Sequence, residues 1–413
     1  MKLKSYLISL LAICALFSCS KEDNTGIEVP GLEPDATLSL AVSADSQTKT
    51  KADNPADGIK QLTVLVYIGD AYSTMKDVSA ENNGDLSEVT NIPVKSGNVK
   101  VLVLANAGTD VKTKFEGKSL TEALQVKAAN LENEKDGSLT MSSGVMEVTL
   151  RASVVNCIGY TATPGEGKFS VKDDKVNLYR NVARIQLASL TVVKDTEYGT
   201  NASFVLKKTF VVNVKSESLL ASEAEWGTVE ADATATQESG RFTFWWQGGW
   251  EDQTGTVLTN GLLKKDLLSY EFTESERPEI PVGGSYTLTG DNAPIGKAFY
   301  VYENMKSRKG AQTIFVVCGD YTYTPEGATR PKTVYDTYYA VVVNDAAKSG
   351  EDKFDGIAQH DFVKRNVQYN LSLTLNGFGS DTPDPSTGVY VNSKVVVNEW
   401  NSPIHIGSNE GVE

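Results

Sequence analysis

Several long runs of this chain are apolar at every second residue, and that period limits what it can fold into. Ala36, Leu38, Leu40, Val42 and Ala44 alternate with Thr37, Ser39, Ala41, Ser43 and Asp45. Leu62, Val64, Val66 and Ile68 repeat the pattern, as do Val99, Val101, Val103 and Ala105. Val367, Tyr369, Leu371, Leu373 and Leu375 do so again. Side chains of an extended strand point alternately to opposite faces, so a period of two marks half-buried strands. Valine, isoleucine, threonine and tyrosine fill the runs, while glycine, asparagine, aspartate and proline punctuate them. Helical signals are few, and the best is Ser119 to Ala129, with Leu120, Ala123, Leu124 and Val126 on a rough stripe. Many short strands joined by polar loops predict an all-β chain of antiparallel sandwiches. A new strand-like run opens at Val176 after the turn-rich stretch 159–174, which puts a domain boundary near residues 170–184.

The first residues have a different character. Lys2 and Lys4 precede an apolar run from Tyr6 to Phe17, then Ser18 and Cys19. A charged start, a short apolar core and a small residue at the cut describe a secretory signal. Leu16-Phe17-Ser18-Cys19 also fits a lipobox, which makes Cys19 the lipidated N-terminus after cleavage. Two acyl chains anchor a protein stably where one does not. The Lys21-Glu22-Asp23 that follows resembles the surface-export signal of lipoproteins in gut and oral Gram-negative anaerobes. Residues 20–35 are polar and hold Gly26, Pro30, Gly31 and Pro34, as a tether would.

Charge and chemistry exclude several functions. Loss of Lys2 and Lys4 with the leader takes the net charge from −14 to −16, and no basic stripe compensates. Nucleic-acid binding needs clustered Lys and Arg, so no such partner is expected. Cys14 leaves with the signal, so after lipidation of Cys19 only Cys157 and Cys318 remain. Both sit in strand-like segments and read as separate buried thiols, with a disulfide as the alternative. No Cys/His cluster suggests a metal, and no cofactor is expected. His360 and His405 are the two histidines, and neither sits in a triad spacing. Gly165-Glu166-Gly167-Lys168 lacks the pattern of a phosphate loop. The segment 379–388, with two prolines and no closing glutamate, reads as a stiff linker and not as a calcium loop. An enzyme is not expected.

Four segments carry a family resemblance. Ile59 to Tyr67 (IKQLTVLVY) and Gly97 to Ala107 (GNVKVLVLANA) are similar to two strands of the fimbrillins, subunits of protease-assembled type V pili. Leu178 to Arg184 (LYRNVAR) resembles the Arg-x-Val-Ala-Arg entry to their second domain. Arg365 to Tyr369 (RNVQY) with Val395 to Trp400 (VVVNEW) resembles their C-terminal signature, and Tyr300 to Asn304 (YVYEN) is a weaker match.

The resemblance implies two tandem sandwiches of transthyretin-like, Greek-key type with few short helices. On that frame, residues 1–18 are the signal, 19–35 the tether, and 36–51 a removable strand with a protease-sensitive loop. The domains are 52–178 and 179–413. It further implies export as an outer-membrane lipoprotein and cleavage by an Arg- or Lys-specific protease. The first strand, with Leu38, Leu40 and Val42, is then lost, and a strand from a neighbouring subunit fills its place. Lys51 and then Lys49 are the candidate cut sites. The oral members use arginine here, so an Arg-only protease would not process this chain. Val389, Val391, Val395 and Val397 lie on one face of the candidate donor 389–400; if that segment instead pairs within its own C-terminal domain, the donor is the tail Asn401 to Glu413, carrying Ile404 and Ile406. Expected partners are other copies, anchor and tip subunits, the outer membrane through the lipid, and host or bacterial surface ligands. The location is the cell surface, then the fimbrium. A different reading is an anchored glycan- or matrix-binding lipoprotein, supported by Trp245, Trp246 and Trp250 if that aromatic cluster is exposed and not core.

Overall fold

The computed structural model describes residues 33–43, 58–81, 86–128, 131–135, 137–160, 167–193, 200–212, 214–215, 218–221, 242–246, 249–252, 268–287, 295–304, 313–343, 363–381 and 391–399. Side chains are described for most of these, but not for 43, 200, 215, 242–246, 249–252, 287 and 391–399. The fold is all-β, and its named helical elements are short, Val111–Phe115, Leu120–Ala123 and the 3₁₀ turn Leu131–Asn133.

Four larger sheets make up the molecule, two from each half of the chain. In the first, the order is Lys168–Lys172, Val155–Ile158, Ala36–Ser43 and Val176–Asn177, and Glu88–Val94 also pairs with Ala36–Ser43. The second runs Tyr179–Arg180, Met141–Ser142, Gly97–Ala105, Gln61–Ile68 and Ala71–Ser79, with Met146–Leu150 added on Gly97–Ala105. In the C-terminal half, one sheet has the order Ser285–Thr287, Val182–Val192, Val367–Leu375 and Val391–Glu399, with Phe299–Tyr302 added on Val182–Val192. The other has Ser269–Glu271, Thr200–Val212, Ile314–Thr324 and Lys332–Val342, with Glu279–Pro281 added on Thr200–Val212. Sheet membership changes between Arg180 and Val182.

Most pairings are antiparallel, as the alternating runs predict. The exceptions lie at Ala36–Ser43, which runs parallel to Val155–Ile158 and Val176–Asn177, at Lys168–Lys172, parallel to Val155–Ile158, and at Val182–Val192, parallel to Val367–Leu375. Parallel neighbours need long crossovers, which local periodicity does not reveal.

The alternation understates burial at the sheet centres. In Gln61–Ile68 six consecutive residues are buried, including Thr63 on the nominally polar face. One continuous apolar cluster joins Leu38, Leu40 and Val42 to Leu62, Val64 and Val101, and extends to Ile185, Phe204, Phe315 and Leu371. The helix expected from Ser119 is a single turn. Ser119 caps it with a reciprocal pair, its hydroxyl accepting from Glu122 N–H while the Glu122 carboxylate accepts from Ser119 N–H. The chain then leaves the helix so that Lys127–Ala128 can pair with Ser218–Leu219 of the other half.

Candidate functional site: the seat of the first strand

Ala36–Ser43 lies inside its sheet, not at its edge. Leu38 stands opposite Ile92 on one side and Asn156 on the other, and Leu40 stands between Val89 and Ile158. Leu38 and Leu40 are fully buried and Val42 nearly so. Burying three such side chains contributes roughly 1.5–3 kcal/mol each. Main-chain ladders supply the rest of the grip, and neither kind of contact depends on which chain the strand belongs to.

Four local details fix the register, three polar and one steric. At the entry, Asp35 Oδ1 accepts from Ser96 N–H at 2.6 Å and Oδ2 from the Ser96 hydroxyl at 2.9 Å, with Lys95 Nζ at 3.0 Å. The Ser96 N–H, and then Lys95, hold the Asp35 carboxyl down at about 2. The sequence reading ends the tether at this residue, yet it is tied to a turn. Next, two residues of Glu88–Val94 oppose the single residue Ser39, a bulge in which Asn91 takes φ 57°. Asn91 N–H donates to the Ser39 hydroxyl at 3.3 Å, and asparagine tolerates that left-handed backbone. Third, fully buried Asn156 donates to Thr37 O and Arg151 O and accepts from Arg151 N–H. Fourth, Gly159 has φ 82°, and a Cβ there would come within 2.6 Å of Ala41 O. Only glycine allows the strand so close.

A second knot ties the two halves of the chain together. Arg365 is 1% exposed and spends its guanidinium on four groups. It donates to Asn181 Oδ1 (3.0 Å), Leu219 O (2.9 Å), Ser218 Oγ (2.6 Å) and Glu303 Oε1 (2.7 Å). Asn366 Oδ1 accepts from Arg180 N–H and Nη1, and Arg184 Nη1 donates to Gln368 Oε1 at 2.9 Å. Buried Glu134 faces this knot, accepting from Thr140 N–H at 2.9 Å, and burial pushes its carboxyl up to about 7. The segments Leu178 to Arg184, Tyr300 to Asn304 and Arg365 to Tyr369 therefore meet in space. Asn106, at the end of another such segment, accepts from Lys60 and Gln61 N–H and donates to Gly58 O and Leu139 O. Each of these segments is a structural joint, which explains why chemistry could not be read from them.

The other predicted site residues are placed as follows. Cys19, Lys49, Lys51 and Val389 lie outside the described residues. Val391, Val395 and Val397 belong to Val391–Glu399, whose one partner among the described residues is Val367–Leu375. They stand in register with Leu375, Leu371 and Tyr369. Cys157 and Cys318 are free, buried and in different sheets, and burial pushes the Cys318 thiol up to about 12. Trp245 pairs with Trp250 across a short hairpin. Among the described residues no group of three or more His, Cys, Asp or Glu is arranged to hold a metal ion. Sequence reasoning missed Asp35, Asn91 and Asn156, because their partners are 52 to 119 residues away.

Residues 36–188 match the family model described as major fimbrial subunit protein (FimA), a span that begins with the seated strand. Over that span the chain is similar to the fimbrillin family. It is 26% identical over 419 residues to a major fimbrium subunit FimA type-2 of Porphyromonas gingivalis, covering 97% of each chain. A candidate fimbrium tip subunit of Parabacteroides distasonis is 27% identical, over 92% of this chain and 90% of that one. The solved structure of a proposed cell adhesion protein from Parabacteroides distasonis superposes with TM-score 0.66 at 29% identity, over 90% of this chain and all of that one. A fimbrilin structure from Porphyromonas gingivalis gives 0.59 at 21% identity, covering 89% and 98%, and shares the fold.

Proposed function

We propose that this chain is a fimbrillin, a structural subunit of a cell-surface fimbria that serves adhesion, exported as a lipoprotein through Cys19. The proposal divides the chain into 52–178 and 179–413. A Lys-directed protease cuts after Lys51 or Lys49, Ala36–Ser43 departs, and the vacated seat takes an extended strand from the 389–400 segment of a neighbour. The observation that carries this reading is the position of Ala36–Ser43. An N-terminal strand paired along both sides, with three buried apolar residues on one face, leaves a complete docking groove when it goes. Removing an edge strand would leave no such slot. A filled groove of this length would bury on the order of 1,000–2,000 Å² and hold its occupant essentially permanently.

The test uses the soluble chain from Ser20 onward, treated with a trypsin-like protease at low dose. Mass spectrometry should find a new N-terminus after Lys49 or Lys51, and cold detergent gels should show a ladder of oligomers that boiling collapses. Failure to cut between residues 44 and 57 would overturn the maturation step. A clean cut with no oligomers in the presence of excess subunit would overturn polymerisation by strand replacement.

A further inference from the structure

The turn between Val94 and Gly97 is built to bind a carboxylate. It offers a main-chain N–H, a hydroxyl and an ammonium to one acid, all within 3.0 Å, and Asp35 now occupies it. The main chain around that acid is pinned as well, since Asp35 N–H donates to Val94 O and Ser153 N–H donates to Asp35 O. Charge-assisted contacts with two donors from one backbone turn are short, directional and strongly selective for an anion. Apolar pockets repeating every two residues cannot by themselves tell one register from the next pair. The acid at the entry can.

If the first strand departs as proposed above, the turn is left with three unsatisfied donors at the mouth of the groove. We propose that Lys95 and Ser96 form a carboxylate-reading site that sets the register of the incoming strand, and that its occupant is the 384–391 segment of a second copy of this chain, which narrows the 389–400 donor named above to its N-terminal end and keeps only Val389 and Val391 of its apolar face in the groove. Asp35 precedes Leu40 by five residues and Val42 by seven. Asp384 precedes Val389 and Val391 by the same five and seven. In that register Ser386 replaces Thr37, and Gly388 replaces Ser39, which is 5% exposed and has no room for bulk. Tyr390 falls at Ala41, which is 8% exposed and packs against Gly159, so the wall of the groove must yield to seat the ring. Thr387 takes the place of Leu38, a loss of apolar filling that makes the acid contact more important to the fit. Acceptor and donor would thus both belong to one sequence, as self-assembly requires.

The experiment uses the full chain cut once in the loop after residue 43, with labelled peptides spanning 33–43 and 382–393. Anisotropy measures capture of each peptide, with its aspartate or with asparagine at position 35 or 384. Both aspartate peptides should be captured, and each asparagine version should bind roughly tenfold more weakly or worse. In Lys95→Met protein that discrimination should shrink, since the coupling belongs to the pair. Equal capture of aspartate and asparagine peptides would overturn the carboxylate site while leaving strand replacement intact. Capture of 33–43 but not 382–393 would overturn the named occupant. If neither peptide enters, hydrogen exchange on the uncut chain separates the remaining cases. Faster exchange of residues 36–43 in Asp35→Asn supports the carboxylate site and refutes strand replacement, and unchanged exchange refutes both.

Discussion

The first and last strands of the described chain are of similar length and both alternate, yet they are held in opposite ways. Ala36–Ser43 has neighbours on both sides, an acid clamp at its entry, a bulge matched to Ser39 and a glycine that lets it approach closely. Val391–Glu399 has one neighbour among the described residues and lies at a sheet edge. One strand can leave only by opening a sheet. The other, among the described residues, can be peeled away without breaking any other pairing. A subunit that both receives and gives a strand needs this asymmetry, because its acceptor seat must be deep and its donor segment must be cheap to release.

The contrast is most exposed by truncation. A chain beginning at Ile59 should lose hydrogen-exchange protection throughout Glu88–Val94 and Val155–Ile158 and should self-associate. A chain ending at Asp381 should stay folded, with exchange rising only along Val367–Leu375. Comparable damage from both truncations would erase the comparison. Next in size is Arg365→Ala, beside the strand on which the last strand rests. It removes four hydrogen bonds, one of them the ion pair to Glu303, from a nearly fully buried site, so a loss of about 3–5 kcal/mol is expected in urea unfolding. Leu40→Ala, in the fully buried middle of the first strand, should cost about 2–5 kcal/mol in the same assay.

The smallest effects concern pH, and their signs differ. The Asp35 carboxyl lies below its ordinary value when folded, so its clamp is fully present above about 4 and is lost as pH falls toward about 2. Hydrogen exchange at residues 36–43 should rise over that interval, and Asp35→Asn should remove the dependence. Glu134 is the reverse case, a carboxyl raised to about 7 by burial, so the folded state holds its proton more tightly than the unfolded chain does. Stability should therefore decline as pH rises from 4.5 to about 7. Glu134→Gln should flatten that slope, and an unchanged slope would show that Glu134 does not titrate in this range.

The strands were the legible part of this molecule. Periodicity located Leu62 to Ile68 and Val99 to Ala105 because each has a face turned to the core. It could not find Val111–Phe115, a helix of five residues, nor show that Lys127–Ala128 would end the one at Leu120. The parallel partners of Ala36–Ser43 were equally hidden, since Val155 is more than a hundred residues from Thr37. At the candidate site, the apolar residues Leu38, Leu40 and Val42 were readable and the polar clamps were not. An aspartate beside a proline looks like any other tether residue until its partner arrives from Ser96. The resemblance segments pointed to the family, and only the three-dimensional arrangement shows that Arg365, Asn181 and Glu303 are one joint.

The lateral embedding of Ala36–Ser43 also has a mechanical consequence. A strand gripped along both edges and pulled along its own axis loads all its ladder bonds at once, in shear. An edge strand pulled from one end yields bond by bond. Subunits linked through a seat like this one would carry tension as a spliced cable does, failing only when the whole splice slips.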